Sequence, residues 1–259
     1  MGAGRAEMSF KDHFSGHAAD YSTFRPSYPH SLYRWLAGAC QEHDRAWDCA
    51  TGNGQAARGL ADFFARVDAT DASPEQIGNA TGDSTVRFRV AAAEESGIPG
   101  GSIDLVTVAQ ALHWFDLEKF YAEVYRVLKP GGMTAVWTYE LSKVCPAVDE
   151  IVWRLYTDIT GPYWPPERDI VDAGYKTLPF PFREIDPPEF TMTSEWTLQQ
   201  YRGYLGTWSA AHRYFADTGQ KPLELVDEQL EKAWGDTSMT RSISWKLNVR
   251  AGYLDTKPG

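Results

Sequence analysis

The sequence predicts an α/β fold: a seven-stranded, mostly parallel sheet with helices on both faces and an antiparallel last strand. Three observations carry this. Up to residue 140, short β-type runs alternate with helical patterns. The run IDLVTVA (103–109) is continuously apolar, as a strand buried on both faces requires. A glycine-bearing turn, ATGNG (50–54), follows the first β-type run, where such sheets place a ligand-binding loop.

The elements follow in order. RAWDCA (45–50) reads as the first strand and 54–65 as its helix, with Leu60, Phe63 and Phe64 on the apolar side. RVDATD (66–71) is the second strand. Ser73-Pro74 then opens a helix through about Ala80, because proline suits a first turn whose N–H has no helical partner. TVRFRVA (85–91) alternates as a strand. Phe120, Val124, Val127 and Leu128 share one face of a helix over 117–128, Lys129-Pro130-Gly131-Gly132 stops it, and MTAVWTY (133–139) is the next strand. Helices of this length between strands give crossovers and a parallel sheet.

After residue 140 the rhythm changes. Val148, Ile151, Val152, Leu155 and Ile159 mark an amphipathic helix. The stretch GPYWPPERDIVDAGYKTLPFPF (161–182) is too irregular for a sheet layer. EFTMTSEWT (189–197) reads as a strand, 198–215 and 222–234 as helices, and RSISWKLNVRAGYL (241–254) as a long final strand. The expected organisation is a single domain over 1–259. Its ligand-binding core covers about 37–140, with cap elements at about 8–36, 141–187 and 198–236 and final strands at about 189–197 and 241–254.

Composition narrows the function. The chain has 259 residues, 43% hydrophobic and 23% charged, which is ordinary for a globular protein. A net charge of −10 and a pI near 5.1 disfavour nucleic acid as a partner, since phosphate neutralisation needs a basic face. Cys40, Cys49 and Cys145 show no paired spacing, which fits a reducing compartment. No apolar stretch reaches membrane-spanning length, so no membrane association and a cytoplasmic location are expected. His13 and His17 are four residues apart but have no third ligand, so no metal is expected. Aromatics at 14% are dense after residue 139, consistent with either core or a pocket for a small molecule.

The turn Gly52-x-Gly54-x-x-Ala57, with Asp71 after the second strand, has the grammar of a Rossmann-like nucleotide site. Glycines let the backbone approach a ligand, and Asp71 can accept from a ribose diol. A nicotinamide dinucleotide and S-adenosylmethionine share these features. Asp48 separates them: a carboxylate at the strand end repels a pyrophosphate and suits a ligand carrying an ammonium and a sulfonium. The residues therefore favour S-adenosylmethionine. An NAD(P)-dependent oxidoreductase is the alternative, as is an S-adenosylmethionine-binding protein lacking transfer activity.

The segments WDCATGNGQAA, VDATDASPEQI, VRFRVAAAEESGIPGGSIDLVTVAQALHWFD and EVYRVLKPGGMTAVW occur in this order. Over residues 44–140 the succession resembles class I S-adenosylmethionine-dependent methyltransferases, with Ala50 standing where the family more usually has glycine. HFSGHAADYSTFRPSYPHSLYRWL (13–36), GYKTLPFPF (174–182) and YLGTWSAAHRY (204–214) look like the branch containing trans-aconitate methyltransferase and related small-molecule methyltransferases. By this resemblance, Ala50, Gly52 and Gly54 pack against the methionine portion of the cofactor, with Asp48 near its ammonium. Asp71 takes the ribose, Ala72 borders the adenine, and Ala93 and Glu94 frame the adenine and its amine. Gln110 lines the methionine side, and Tyr21 and Arg25 close over the cofactor. S-adenosylhomocysteine is the implied product.

Methyl transfer from a sulfonium is an in-line displacement that needs alignment and exclusion of water more than acid–base machinery. No nucleophile–base triad is therefore required. His113 is the one candidate for a catalytic side chain, with Trp114 beside it as an acceptor contact; a packed loop-to-helix junction is the competing reading. Trp164, Tyr175, Tyr204, Trp208, Ser209 and His212 are the remaining expected contacts to a small-molecule acceptor, a carboxylate or hydroxyl. Arg25, Arg202 or Arg213 can orient a carboxylate. A monomer or homodimer is expected.

Overall fold

The computed structural model describes residues 26–254. At the centre of the sheet lies β1 (Ala46–Cys49), buried at every position. It pairs in parallel with β2 (Val67–Asp71) on one side and β4 (Ile103–Ala109) on the other. Beyond β2 lies β3 (Val86–Val90) and beyond β4 lies β5 (Leu128–Tyr139), both parallel to their neighbours. The sheet continues through β8 (Arg241–Tyr253), antiparallel to β5, to the edge strand β6 (Arg183–Ile185). The first half of β8 overhangs the main sheet and pairs with β7 (Thr191–Trp196). The order is β3-β2-β1-β4-β5-β8-β6, with β7 joined to β8 alone.

The sheet thus has eight strands rather than the seven expected. The additional one, β6, is three residues long and falls in the span read as cap. Two of its positions are exposed and it has no alternating pattern, so periodicity could not reveal it. The expected antiparallel last strand is present as β8.

Successive strand residues point to opposite faces, so Leu105 and Ala135 enter one core while Val106 and Val136 enter the other. The first core is closed by α1 (His30–Ala39) and α2 (Gln55–Ala61), and the second by α4 (Leu117–Val127). Between these helices, α3 (Pro74–Asn79) starts as expected, its Ser73 N-cap oxygen accepting from the Gln76 N–H at 3.3 Å. The amphipathic helix after residue 140 is α5 (Pro146–Arg154), extended by a π-helical turn, Leu155–Ile159. A short α6 (Arg168–Asp172) interrupts the irregular stretch.

The helix expected over 198–215 is two helices, α7 (Leu198–Gly206) and α8 (Ser209–Thr218). The Thr207 hydroxyl turns back on the Tyr204 carbonyl at 2.7 Å and Trp208 is extended, which breaks the ladder. The last helix, α9 (Asp227–Trp234), leads into β8. Among the described residues, no helix is long and apolar enough to cross a membrane.

The amino ends of the strands are held by charge. Lys129 at the start of β5 reaches Asp104 in β4 at 2.8 Å, and Glu42 and Asp44 at 2.8 and 2.9 Å. One cation thus bridges three carboxylates. Asp68 in β2 accepts from Arg45 at 2.5 Å and from Arg66 at 2.8 Å.

Close packing of α1 on α2 requires a glycine: a Cβ on Gly59 would lie 2.1 Å from the buried Tyr33 ring. Gly59→Ala gains helix propensity of about 1 kcal/mol and meets an overpacking cost of about 1–3 kcal/mol. The expected outcome is net destabilisation by up to roughly 2 kcal/mol in urea unfolding, reversed by the double variant with Tyr33→Leu.

Candidate functional site

The strand order reverses direction between β1 and β4, and their carboxyl ends border the crevice where open α/β sheets bind ligands. In-register pairing sets Asp48 of β1 opposite Thr107 of β4. The Asp48 carboxylate is 1% exposed, and it accepts from the Thr107 hydroxyl at 2.8 Å and the Thr51 hydroxyl at 2.5 Å. The Ala57 N–H, in the first turn of α2, is a third donor. Burial pushes the acid up to about 6, against the pull of these three donors, with Asp71 adding a smaller upward push. Asp48 therefore lies beneath the turn as a buried charge, and does not project from it.

The turn itself is left-handed at Ala50 (φ 54°), Gly52 (φ 56°) and Gly54 (φ 86°). Glycine is cheap in this conformation and alanine is not, which accounts physically for Ala50 being the irregular letter. Asp71, at the end of β2, braces the same turn: its Oδ2 accepts from the Gly52 N–H at 2.9 Å, its Oδ1 from the Ser73 N–H at 2.9 Å. Ala72 adjoins it, half-buried.

Beyond β3, Ala93 is buried and Glu94 half-buried. Glu94 Oε1 accepts from the Asp116 N–H at 3.0 Å, tying this loop to the start of α4.

At the end of β4, Gln110 is also left-handed (φ 60°), its N–H bonded to the Trp137 carbonyl at 3.0 Å. Its side-chain Nε2 is buried and has no hydrogen-bond partner among the described residues. A buried unpaired amide donor costs roughly 1–3 kcal/mol, so its persistence beside Ala50 marks a place for an oxygen acceptor. A ring cluster follows: His113 and Trp114 are 4.6 Å apart, and His113 Nδ1 lies 2.9 Å from the Tyr175 hydroxyl. Burial pushes His113 down to about 4, and the nearby Arg168 charge adds to this. Tyr175 itself is 0% exposed, so it supports His113 from behind and does not line an open pocket.

The cap brings Trp164 and Trp208 together at 5.7 Å, with Tyr156 at 5.1 Å from Trp164 and edge-on to Trp208 at 5.8 Å. The Arg168 guanidinium stacks on Trp164 at 4.7 Å and Tyr156 at 5.0 Å. Its Nε donates to the Tyr156 hydroxyl at 2.6 Å and to Asp172 at 2.9 Å, while Tyr156 also bonds Asp172. Neither Nη of Arg168 has a hydrogen-bond partner among the described residues.

Other expected contacts stand differently. Tyr204 is 2% exposed and accepts from the Trp245 indole at 2.9 Å, which makes it a core residue. Ser209 and His212 are half-buried on α8. Arg202 is taken by Asp227 at 2.5 Å and Glu231 at 3.1 Å, and Arg213 reaches the Tyr163 carbonyl at 3.4 Å. Tyr21 and Arg25, with His13 and His17, lie outside the described residues.

Sequence reasoning missed Thr51, Thr107, Tyr156, Arg168 and Asp172. Thr107 had a signal, being the lone hydroxyl inside the apolar run IDLVTVA. Arg168 had none, because its segment has no periodicity to say which way it faces.

Residues 47–136 match the methyltransferase domain family. A Dictyostelium discoideum protein named as a methyltransferase is 34% identical over 232 residues, covering 88% of each chain. An uncharacterised methyltransferase of Mycobacterium tuberculosis is 32% identical over 203 residues, 77% of this chain and 76% of its own. A solved structure from Anaeromyxobacter dehalogenans, described as a type II methyltransferase, is 44% identical. It superposes with a TM-score of 0.85, covering 89% of this chain and 98% of that one.

Because Asp48 binds its proton more tightly in the fold than in the unfolded chain, its contribution to stability is complete below about pH 4 and is lost as the pH rises through about 6. The shift corresponds to about 3 kcal/mol. Subtracting the urea-unfolding profile of Asp48→Asn from that of the wild type is expected to leave a decline of that order between these pH values. Parallel profiles would contradict the buried charge.

Proposed function

The chain belongs to the class I S-adenosylmethionine-dependent methyltransferases, and from that premise we propose that it transfers the methyl group of S-adenosylmethionine to a small-molecule oxygen acceptor, a carboxylate or hydroxyl. The observation that carries the cofactor half of this reading is the sealed, unpartnered Gln110 amide beside the left-handed Ala50 turn. Such a donor needs an oxygen, and the neighbouring groups match the rest of the cofactor. Asp71, which holds the turn at Gly52, is the residue we assign to the ribose hydroxyls; the buried Asp48 charge favours a cationic amino-acid end over a pyrophosphate. Ala72, Ala93 and Glu94 are the residues we assign to the adenine side.

When bound, S-adenosylmethionine supplies a methyl group already activated on a sulfonium. The protein's work is to bring an acceptor into line and keep water out. We assign that work to His113 and Trp114 on one side and to Trp164, Trp208 and Arg168 on the other. The aromatic faces supply desolvated area. Arg168, whose Nε is engaged while its two Nη atoms have no partner among the described residues, presents a planar pair of donors to a carboxylate. Its position favours the carboxylate among the two acceptor types.

S-adenosylhomocysteine at about 100 times its Kd is expected to add roughly 2.7 kcal/mol, a rise in Tm of about 5–10 °C, whereas NADH leaves Tm unchanged. A shift with NADH and none with S-adenosylhomocysteine overturns the reading. Asp71→Ala weakens S-adenosylhomocysteine binding roughly tenfold or more, measured by calorimetry.

A screen with methyl-labelled S-adenosylmethionine across carboxylic acids, phenols, thiols and amines identifies the acceptor class. With an acceptor found there, Arg168→Met is expected to lower kcat/KM for the acceptor roughly tenfold or more while leaving S-adenosylhomocysteine affinity intact. Equal losses in both would place Arg168 outside the acceptor site.

A further inference from the structure

We propose that Tyr175 is a positioning residue that locks His113 as the neutral tautomer protonated on Nε2, so that His113 serves the site as a hydrogen-bond donor and not as a base. The argument is a count of protons and lone pairs. A phenol oxygen has one proton and two acceptor sites. Among the described residues, His113 Nδ1 is the one hydrogen-bond partner of the Tyr175 hydroxyl, 2.9 Å away. Tyr175 is 0% exposed, so bulk solvent does not reach the hydroxyl. Were Nδ1 protonated, it would donate to the phenol oxygen, and the phenol's own proton would be buried without an acceptor among the described residues. The O–H therefore donates to Nδ1, and the ring proton must be on Nε2.

The backbone around Tyr175 is built to hold this. Gly174 and Tyr175 are consecutive left-handed residues, at φ 62° each. A Cβ on Gly174 would meet Asn248 of β8 at 2.9 Å. Arg250 of β8 donates to the Tyr175 carbonyl at 2.8 Å, and the Tyr175 N–H donates to the Ile170 carbonyl at 3.1 Å. A bulky residue with positive φ is a strained conformation that surrounding structure must over-determine. Here it is fixed from β8 and from α6, and what it delivers is one hydroxyl to one imidazole nitrogen.

His113 Nε2 has no hydrogen-bond partner among the described residues, so its N–H is available to a ligand. Arg168, the charged group that bears on His113, also disfavours a second ring proton. Taken with the methyltransferase reading on which this consequence rests, the acceptor's nucleophilic atom meets a donor at His113. It therefore does not lose its proton to that residue. A nucleophile that arrives already deprotonated is the kind such a site handles.

The test uses the full-length protein without cofactor or acceptor, labelled with 15N at histidine. The His113 signals are assigned by their loss in His113→Gln. The expected spectrum shows a protonated Nε2 and a bare Nδ1, unchanged between about pH 5 and 8, as a ring proton-free at Nδ1 in this range requires. In Tyr175→Phe the fixed pattern is expected to give way to exchange between the two tautomers. A bare Nε2, averaged tautomers in the wild type, or a titration inside that pH range overturns the proposal. If Tyr175→Phe fails to fold, the wild-type spectrum decides alone. Since no cofactor is present, failure here leaves the methyl-transfer reading standing. Failure of the S-adenosylhomocysteine shift likewise leaves the lock standing.

Discussion

Asp48 accepts hydrogen bonds from Thr51, Thr107 and Ala57 while sealed from water, and each donor belongs to a different part of the site. Thr51 lies in the turn after β1, Thr107 in the neighbouring strand β4, and Ala57 in the first turn of α2. One carboxylate thereby fixes the height of the turn, its distance from β4 and the point at which α2 begins. A neutral residue of similar size would have no comparable hold on all three. The cost is a desolvated charge, which is why this acid stands above the usual carboxylate range. Asp71 extends the arrangement outward by taking the Gly52 N–H, so two acids position one turn from opposite sides.

The two ends of the sheet use charge differently. At the amino ends, acids meet arginines and lysine directly, as in Asp68 with Arg45 and Arg66, and Asp104 with Lys129. There opposite charges lie in direct contact. At the carboxyl ends, the donors to Asp48 among the described residues are uncharged, so its negative charge stays available to the crevice as a field. On the cap side, the Arg168 guanidinium lies on the aromatic faces of Tyr156 and Trp164.

Much of this was legible in the sequence because it rests on local pattern. The strands β1 to β5 and their helices declare themselves by apolar runs and by starts such as Ser73-Pro74, and the motif order points to Asp48, Gly52, Gly54 and Asp71. What Asp48 does was not legible. Its donors include Thr107, which is 59 residues away, and only the β1–β4 register brings them together. Tyr175 and Tyr204 are among the aromatics that the sequence offers as acceptor contacts. Both are core residues, since an aromatic stripe has the same appearance whether it faces a cavity or a neighbouring strand. β6 is too short to have a period, and Arg168 sits in a segment whose direction is set by tertiary contacts alone.

Backbone strain ties these threads together. The left-handed non-glycine residues among those described are Ala50, Gln110 and Tyr175: the first two follow β1 and β4 at the crevice, and Tyr175 supports His113 from behind. Each such residue costs on the order of 1 kcal/mol or more. Random tolerance of strain would scatter it over surface loops, where it is least constrained. Instead each case is pinned by a specific partner. Asp71 holds the Gly52 amide beyond Ala50, the Trp137 carbonyl holds Gln110, and Arg250 holds the Tyr175 carbonyl. Two of those partners, Trp137 and Arg250, lie on the adjacent strands β5 and β8 and are themselves paired through their neighbours in the same ladder. The rigid sheet thus enforces conformations that the loops would not adopt by themselves. Their common effect is to aim an amide, a turn and a histidine into one space. That convergence, more than any single side chain, is the physical case for a preorganised site rather than a surface crevice left by imperfect packing.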